Sequence, residues 1–195
     1  MSALSVTFFC DYPIYGLALL NVLDRDNRFR VVSSLDLLSW DRQHCDLRSD
    51  LAVISIYKAS FPAYLAASKI IASGSFRQVV ALTPVVQSPL AAALRCEGAS
   101  AVVSNAPDEH PQLHDLLIAV SRGFVCTPSV DEWHFSRLTR RECAVLVGLL
   151  DGLGVKELAL LLKLSPKTVS LYKSTALEKT RGDPSLAALL RNERE

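Results

Sequence analysis

The sequence has no long hydrophobic run, although half of its 195 residues are hydrophobic. Its longest apolar stretches, Leu51–Tyr57 and Leu158–Leu162, fall well short of the roughly 20 residues that a membrane-spanning helix needs. The chain starts without basic residues, and its first apolar run ends at Asp11, so we expect neither a signal peptide nor a membrane span. We therefore expect a folded cytoplasmic protein, because a chain this apolar and this weakly charged does not stay disordered.

Clustered metal ligands and glycine-rich phosphate loops are also lacking. The five cysteines form no C-x-x-C pair, and the four histidines are dispersed. We expect reduced, mostly buried thiols, no metal site and no cofactor. The cysteines are Cys10, Cys45, Cys96, Cys126 and Cys143.

A net charge of only +1 hides an uneven distribution along the chain. Residues 1–130 carry 10 basic and 11 acidic side chains, whereas residues 137–181 carry 9 basic and 4 acidic ones. Excess positive charge on a compact C-terminal unit indicates a polyanionic partner, although a solvated helix face has a similar composition.

The first 122 residues alternate short apolar runs with segments of helical periodicity. Runs that are nearly continuous in hydrophobicity are typical of strands covered on both faces of a parallel sheet. The alternation predicts a doubly wound α/β domain with right-handed crossovers. We predict strands near 5–9, 30–32, 51–56, 79–82 and 101–103, and helices near 14–23, 35–40, 63–73, 89–97 and 108–121.

The pattern changes after residue 122. Residues 123–136 have no sustained period and are predicted to be a linker, and only helical signals follow in residues 137–195. Thr139 and Glu142 have the spacing of a capping box, and Ser165 precedes Pro166 as an N-cap residue would. We predict four C-terminal helices, at about 139–150, 155–162, 166–179 and 185–191.

The second and third of these helices, joined by a short turn, predict a helix-turn-helix. On the third helix, Val169, Ala176 and Leu177 form a stripe that can face the core, which leaves another stripe for a partner. A helix of this size fits the major groove of DNA, and an apolar Leu171 among hydroxyls and lysines favours that use over a merely solvated face. We assign base contacts to Ser170, Leu171 and Ser174, and phosphate contacts to Lys163, Lys167, Lys173 and Lys179.

A dense motif runs through residues 138–179. It comprises Leu138, Thr139, Glu142, Val145, Leu146, Leu149, Gly152, Lys156, Glu157, Ala159, Leu162, Leu164, Ser165, Lys167, Thr168, Val169 and Lys179. This motif resembles the LuxR/GerE-type domain of bacterial transcription regulators. The resemblance implies that Thr168 lies near the DNA backbone together with Lys167 and Lys173. It also implies that a final helix pairs two copies through Leu186, Leu189 and Leu190, with packing inside the domain as the alternative.

The N-terminal domain resembles the receiver of NarL/FixJ-type response regulators in the segments FFCDYP, DLAVISI, LTP and GASAVVSN. Such receivers hold Mg²⁺ with two acids after the first strand and are phosphorylated on an aspartate that ends the third. Here Cys10 replaces the first acid and Asp11 remains, Ser55 stands at the acceptor position, Thr83 keeps the switch hydroxyl, and Asn105 replaces a lysine. A thiol is a poor ligand for a hard cation, and serine cannot form an acyl phosphate. We therefore predict a degenerate receiver, a pseudo-receiver, that works without phosphorylation.

Together these features predict a bacterial transcription regulator that binds operator DNA and is controlled by phosphorylation-independent dimerisation. Its expected partners are double-stranded DNA, a second copy or another response regulator, and RNA polymerase. An auxiliary adapter that heterodimerises with another response regulator and adds little DNA affinity is the main alternative. An enzyme with Cys10 as nucleophile is less favoured, because no histidine lies near it in sequence. Candidate pairing contacts are Tyr12, Ile14, Tyr15, Leu113, Leu116 and Leu117, with burial against the sheet as their alternative role.

Overall fold

The structure is a computed structural model, in which residues 3–40, 47–86, 88–106, 110–125, 135 and 137–180 are described. Strands and helices alternate in the first part, and three helices follow. In chain order the elements are β1 (Leu4–Cys10), α1 (Pro13–Asp24), β2 (Phe29–Asp36), β3 (Ser49–Ser55), α2 (Phe61–Ala72), β4 (Phe76–Thr83), α3 (Pro89–Glu97), β5 (Ala101–Ser104), α4 (His110–Ser121), α5 (Arg140–Leu150), α6 (Val155–Leu162) and α7 (Pro166–Lys179).

The five strands form one parallel sheet in the order β2-β1-β3-β4-β5. β1 and β3 are neighbours, and their last residues, Cys10 and Ser55, lie opposite each other in register. This is the strand order of a doubly wound domain, in which functional groups collect at the carboxyl ends of the central strands. The predicted α/β fold is confirmed.

Helices cover both faces of the sheet. On one face, α1 and α4 bury Leu19, Leu23, Leu113 and Leu117 against the strands, so the last two are core residues rather than pairing contacts. α2 and α3 cover the other face. None of the described helices combines the length and the hydrophobicity that a membrane span requires.

The helix predicted at 35–40 is wrong. Leu35 and Asp36 belong to β2, where they pair with Phe9 and Cys10, and the amide of Leu37 continues the ladder by donating to the Cys10 carbonyl at 2.9 Å. The apolar spacing of this segment imitates a helical face because buried Leu37 and Trp40 both pack into the core. Its true period is two, because exposure alternates along β2.

The helices of the C-terminal half follow their predicted bounds closely. The Thr139 amide donates to Glu142 Oε2 at 2.7 Å, which confirms one half of the capping box, and the Glu142 amide donates back to Thr139 Oγ1 at 3.4 Å. α6 ends at Leu162, and the left-handed conformation of the capping residue Lys163 (φ 55°) turns the chain toward α7. The predicted helix at 185–191, with Leu186, Leu189 and Leu190, and most of the predicted linker lie outside the described residues. The domain boundaries therefore stay a prediction.

Helix α5 packs directly against the receiver-like domain, and one continuous apolar core extends from the sheet to α7. Polar contacts stand at both ends of α5. At its start, Arg140 Nε donates to Glu97 Oε1 at 2.7 Å, and the Tyr64 hydroxyl donates to the same oxygen at 2.7 Å. At its end, Asp151 Oδ2 accepts from the amide of Phe61 at 2.9 Å, in the first turn of α2. α5 is therefore shared between the two halves of the chain.

Gly148 on α5 generates a prediction, because no side chain fits there. An added methyl carbon would come within 2.2 Å of Leu158 Cδ2 and 3.2 Å of Phe61 Cδ2, and both side chains are buried. We expect Gly148→Ala to lower the free energy of unfolding by about 1–2 kcal/mol, since overpacking outweighs the gain in helix propensity. Urea unfolding followed by circular dichroism measures the change.

The matched control is Leu158→Ala, measured alone and together with Gly148→Ala. Removing the Leu158 side chain opens the space that the new methyl group needs, so it should destabilise the Gly148→Ala variant less than it destabilises the natural protein. Equal losses in both backgrounds would contradict the steric explanation.

Candidate nucleic-acid interface

Helix α7 has one buried and one exposed face. Val169 and Ala176 are fully buried, as the sequence predicts. Four residues spaced three and four apart, Lys167, Ser170, Leu171 and Ser174, are exposed, and the Leu171 residue is 63% accessible. We call these four the outer stripe. The structure brings the predicted base contacts together on one open face, which is the geometry that groove reading requires.

The N-terminus of α7 is held by side-chain capping. The Thr168 amide donates to Ser165 Oγ at 3.1 Å, and the hydroxyls of these two residues are 2.7 Å apart. Lys163 and Lys167 are exposed on either side of this turn. Lysines beside a helix N-terminus make a favourable site for an anion such as a DNA phosphate, because the helix dipole adds to their charge.

Lys179 departs from its predicted role. Its ammonium lies 2.8 Å from both carboxylate oxygens of Glu142, and its side chain is only 32% exposed. The Lys179 ammonium is therefore already paired with a carboxylate of the same domain. We therefore assign Lys179 to positioning α7 rather than to a phosphate contact. Lys173 is half-buried on the same helix.

Glu142 is the buried partner in this pair, with 5% of its side chain exposed. Burial raises the pKa of its carboxyl, but the hydrogen bonds from Lys179 and from Thr139 outweigh burial, so the pKa stays below the ordinary value. One carboxylate thus caps the start of α5 and anchors the end of α7. The sequence predicts the cap at Glu142 but not its ion pair with Lys179. Lys179 is 37 residues from Glu142 along the chain, and no local pattern links these two residues.

The predicted degenerate phosphorylation site does gather at the carboxyl ends of the strands. The Cys10 thiol is buried beside the Ser55 hydroxyl and donates to the Tyr12 carbonyl at 3.0 Å. Burial raises the pKa of this thiol, so it stays neutral. The Asp11 carboxylate accepts from the amides of Tyr57 at 2.7 Å and Lys58 at 3.2 Å. A neutral thiol and a carboxylate bound to amides do not fit Mg²⁺, which prefers free hard oxygen ligands.

The remaining site residues bind the backbone. Thr83 Oγ1 donates to the carbonyl of Val85 at 3.3 Å, and the Asn105 amide donates to the carbonyl of Ile56 at 2.8 Å. The rings of Tyr12 and Tyr57, which follow β1 and β3, stack with centroids 4.8 Å apart. Sequence reasoning missed Tyr57 because the stack joins two separate loops. The Thr83 and Asn105 side chains are therefore already bound to backbone carbonyls.

Comparisons with known proteins agree with this geometry. The model of the family "bacterial regulatory proteins, luxR family" matches residues 136–181. No curated protein sequence matches the chain. RcsB from Salmonella enterica serovar Typhimurium, bound to promoter rprA, is 20% identical over 99% of both chains with a TM-score of 0.66. An RcsB–DNA complex is 20% identical over 97% of this chain and 98% of that chain, with a TM-score of 0.58. The response regulator ChrA, from a heme-sensing two-component system, is 24% identical over 100% of this chain and 99% of that chain, with a TM-score of 0.51.

The chain has the two-domain fold of a response regulator, with a receiver-like domain followed by a LuxR-type helix-turn-helix domain. Within it, residues 136–181 form a regulatory domain of the luxR family. The predicted resemblance to NarL/FixJ-type regulators is thereby confirmed at the level of the fold.

The Glu142 pair generates a pH prediction. A carboxyl whose folded pKa is depressed stabilises the fold above its unfolded pKa, and this stabilisation is lost as the pH falls through the folded value. We expect Glu142→Gln to lower the free energy of unfolding by about 2 kcal/mol at pH 7, because the cap and the pair to Lys179 are both weakened. The difference from the natural protein should shrink below the unfolded pKa of 4.5. Urea unfolding at pH 7, 5, 4 and 3 measures it.

Glu157→Gln is the matched control. Glu157 also accepts a hydrogen bond from a capping amide, that of Gly154 at 2.7 Å, but its residue is exposed. The Glu157→Gln substitution should lower the free energy of unfolding by only a few tenths of a kcal/mol, as is usual for exposed groups. A Glu142→Gln effect no larger than that of Glu157→Gln would refute the anchoring role.

Proposed function

We propose that this chain is a bacterial transcription regulator that binds operator DNA through α7. The outer stripe carries the proposal, because it presents hydroxyls, an apolar side chain and a lysine on one exposed face of a luxR-family domain. Ser170 can donate to or accept from base edges, and Ser174, whose hydroxyl donates to the Ser170 carbonyl at 3.0 Å, can accept from them. Leu171 can contact a thymine methyl in the major groove. RcsB, which shares the fold, has been solved on promoter DNA.

Phosphate contacts come from the lysines that remain exposed. Lys163 and Lys167 lie beside the capped N-terminus of α7, where the helix dipole adds to their positive charge. Thr168 and Lys173 stand nearby on the same helix and complete the backbone contacts that the resemblance implies. Such contacts fix the helix on the duplex without reading sequence, whereas the outer stripe reads it.

We further propose that pairing of the receiver-like domains does not depend on phosphorylation. Cys10, Ser55 and Asn105 replace the charged groups of a phosphorylated receiver with neutral ones, and each is bound to a neighbour or buried within the fold. A neutral buried thiol is also a poor nucleophile, so we propose no enzymatic activity at Cys10. The pairing partner is a second copy, as in the RcsB dimers described on DNA, and RNA polymerase is a further proposed partner.

An adapter that pairs with another response regulator is the second candidate. Its supporting observation is the exposed apolar surface at the start of α1, where the residues Ile14 and Leu17 are 71% and 60% accessible. Exposed apolar side chains that lie together on a surface are typical of a protein–protein contact site. Salt-dependent DNA binding by the chain alone favours the regulator, whereas DNA binding that requires a second regulator favours the adapter.

The DNA-binding roles predict different effects for different residues. A duplex enriched from a random-sequence pool by the protein serves as the specific ligand, and fluorescence anisotropy measures Kd over a salt series. We expect Lys167→Ala to weaken specific and random binding alike and to flatten the log–log salt slope by about one unit. We expect Ser170→Ala and Ser174→Ala to change base preference by about 1–3 kcal/mol at the contacted positions, with little change in slope.

Lys69→Ala is the charge-matched control, because Lys69 is exposed on α2 in the other domain. It should leave both Kd and the salt slope nearly unchanged. The groove assignment is wrong if the lysine and serine variants of α7 have the same effect on specific and random duplexes.

The neutral receiver site predicts that acetyl phosphate does not modify the chain. Serine at position 55 cannot form an acyl phosphate, and the donor set around Cys10 and Asp11 does not fit Mg²⁺. Intact mass after incubation with acetyl phosphate and Mg²⁺ should show no added phosphoryl group, while an active receiver treated alongside should be modified. A stoichiometric, acid-labile phosphoprotein would exclude phosphate independence.

A further inference from the structure

A cavity of about 170 Å³ lies where the receiver-like domain meets the helix-turn-helix domain. Its walls come from α2 and α3 on one side and from α5, α6 and the turn after α6 on the other. A cavity of roughly 150 Å³ is large enough to hold a benzene ring, so this one has room for a small organic molecule. Among its lining residues, the proposed function gives a role in DNA binding only to Lys163.

The charges around this cavity are unbalanced. Among the described residues that line it, Glu97 is the only acidic one, and its side chain is 2% exposed. Arg140 already neutralises this carboxylate, because its Nε donates to Glu97 Oε1 at 2.7 Å and its Nη2 pairs with Oε2. Arg141 and Lys163 are exposed and have no ion-pair partner among the described residues. Two uncompensated cations therefore remain at the cavity.

Four further lining residues are apolar, namely Leu65 of α2, Ala144 of α5, and Leu161 and Leu162 of α6. Leu161 is 48% exposed, so it is accessible to a molecule that enters the cavity. An apolar body packed on these side chains would leave water, while a charged head would meet the two cations. The lining therefore fits an anion that also has an apolar part.

A phosphate group is the anionic head that suits two cations. A phosphate monoester carries about −1.5 to −2 charge at pH 7, which balances two positive side chains, whereas a carboxylate balances only one. The guanidinium of an arginine such as Arg141 can donate two parallel hydrogen bonds to phosphate oxygens, and the ammonium of a lysine such as Lys163 binds phosphate as a point charge.

The backbone of Lys163 is an independent sign that its side chain is used. Its φ of 55° lies in the left-handed region at the end of α6, a position that glycine favours. A lysine there carries a backbone cost that glycine would avoid, and such costs are typical of functional positions. The same lysine stands beside the N-terminus of α7, so one ammonium serves either a ligand in the cavity or a DNA phosphate.

We propose that this cavity binds a small phosphate monoester with an apolar body of about one ring, and that the bound ligand opposes DNA binding through Lys163. The second part rests on the proposed function, in which Lys163 contacts a DNA phosphate. A ligand in the cavity holds the Lys163 ammonium and adds negative charge beside the N-terminus of α7. Ligand and duplex therefore each weaken the binding of the other, because the coupling between two sites is reciprocal.

The binding test is calorimetric titration of the full-length chain with phenyl phosphate, and with inorganic phosphate and benzyl alcohol as the two halves of this probe. We expect phenyl phosphate to bind with a Kd of about 0.1–1 mM, as is usual for a molecule of this size. Inorganic phosphate should bind about fivefold more weakly or worse, because it has no apolar body. Benzyl alcohol should show no measurable binding. Inorganic phosphate that binds as tightly as phenyl phosphate would overturn the proposed class of ligand.

Variants test whether the binding occurs in this cavity. Arg141→Ala and Lys163→Gly should each weaken phenyl phosphate binding about tenfold, because each removes one charge-assisted contact. Lys163→Gly also relaxes the backbone, so it should melt no lower than the natural chain, which separates lost binding from lost folding. Arg122→Ala is the charge-matched control, because Arg122 is exposed after α4, on the other face of the sheet. The site is refuted if phenyl phosphate does not bind the natural chain, or if all three variants bind it alike.

The effect on DNA is measured by fluorescence anisotropy with the enriched duplex at constant ionic strength. Saturating phenyl phosphate should raise the Kd of the natural chain for DNA several-fold. Arg141→Ala should bind DNA nearly as the natural chain does and should not respond to phenyl phosphate. An unchanged Kd while phenyl phosphate binds would overturn the antagonism and leave the regulator proposal standing. If no duplex is bound at all, the proposed function and the antagonism fail together, and calorimetry still decides the ligand site.

Discussion

The buried carboxylate of Glu142 is the contact on which the geometry of α7 depends. It satisfies the first amide of the α5 cap and holds the ammonium of Lys179, so the start of one helix and the end of another share one charged group. A buried carboxylate without these partners would be strongly destabilising, which makes the arrangement specific as well as stabilising. Because α7 is held from its buried side, its opposite face is free to carry Ser170, Leu171 and Ser174.

Helix α5 extends this constraint to the rest of the molecule. It contacts α6 and α7 on one side and α2 and α3 of the receiver-like domain on the other. Gly148 permits the close approach of Leu158 and Phe61, and Asp151 caps the first turn of α2. α5 therefore contacts both halves of the chain.

The carboxyl ends of the central strands carry mostly neutral side chains, and the Asp11 carboxylate among them is held by two backbone amides. Cys10, Ser55 and Asn105 place a thiol, a hydroxyl and an amide there, and the rings of Tyr12 and Tyr57, which follow β1 and β3, stack on each other.

Local signals in the sequence were enough for most of the fold and for the outer stripe. The alternation of apolar runs predicts the sheet, and the caps at Thr139 and Ser165 place α5 and α7 correctly, because each cap depends on residues only three positions apart. Contacts between distant residues could not be read in this way. β2 continues to Asp36 because β1 pairs with it, and Lys179 turns inward because Glu142 lies within reach only after the helices pack. Spacing along the chain reports which side chains share a face, but only folding decides which distant group meets them there.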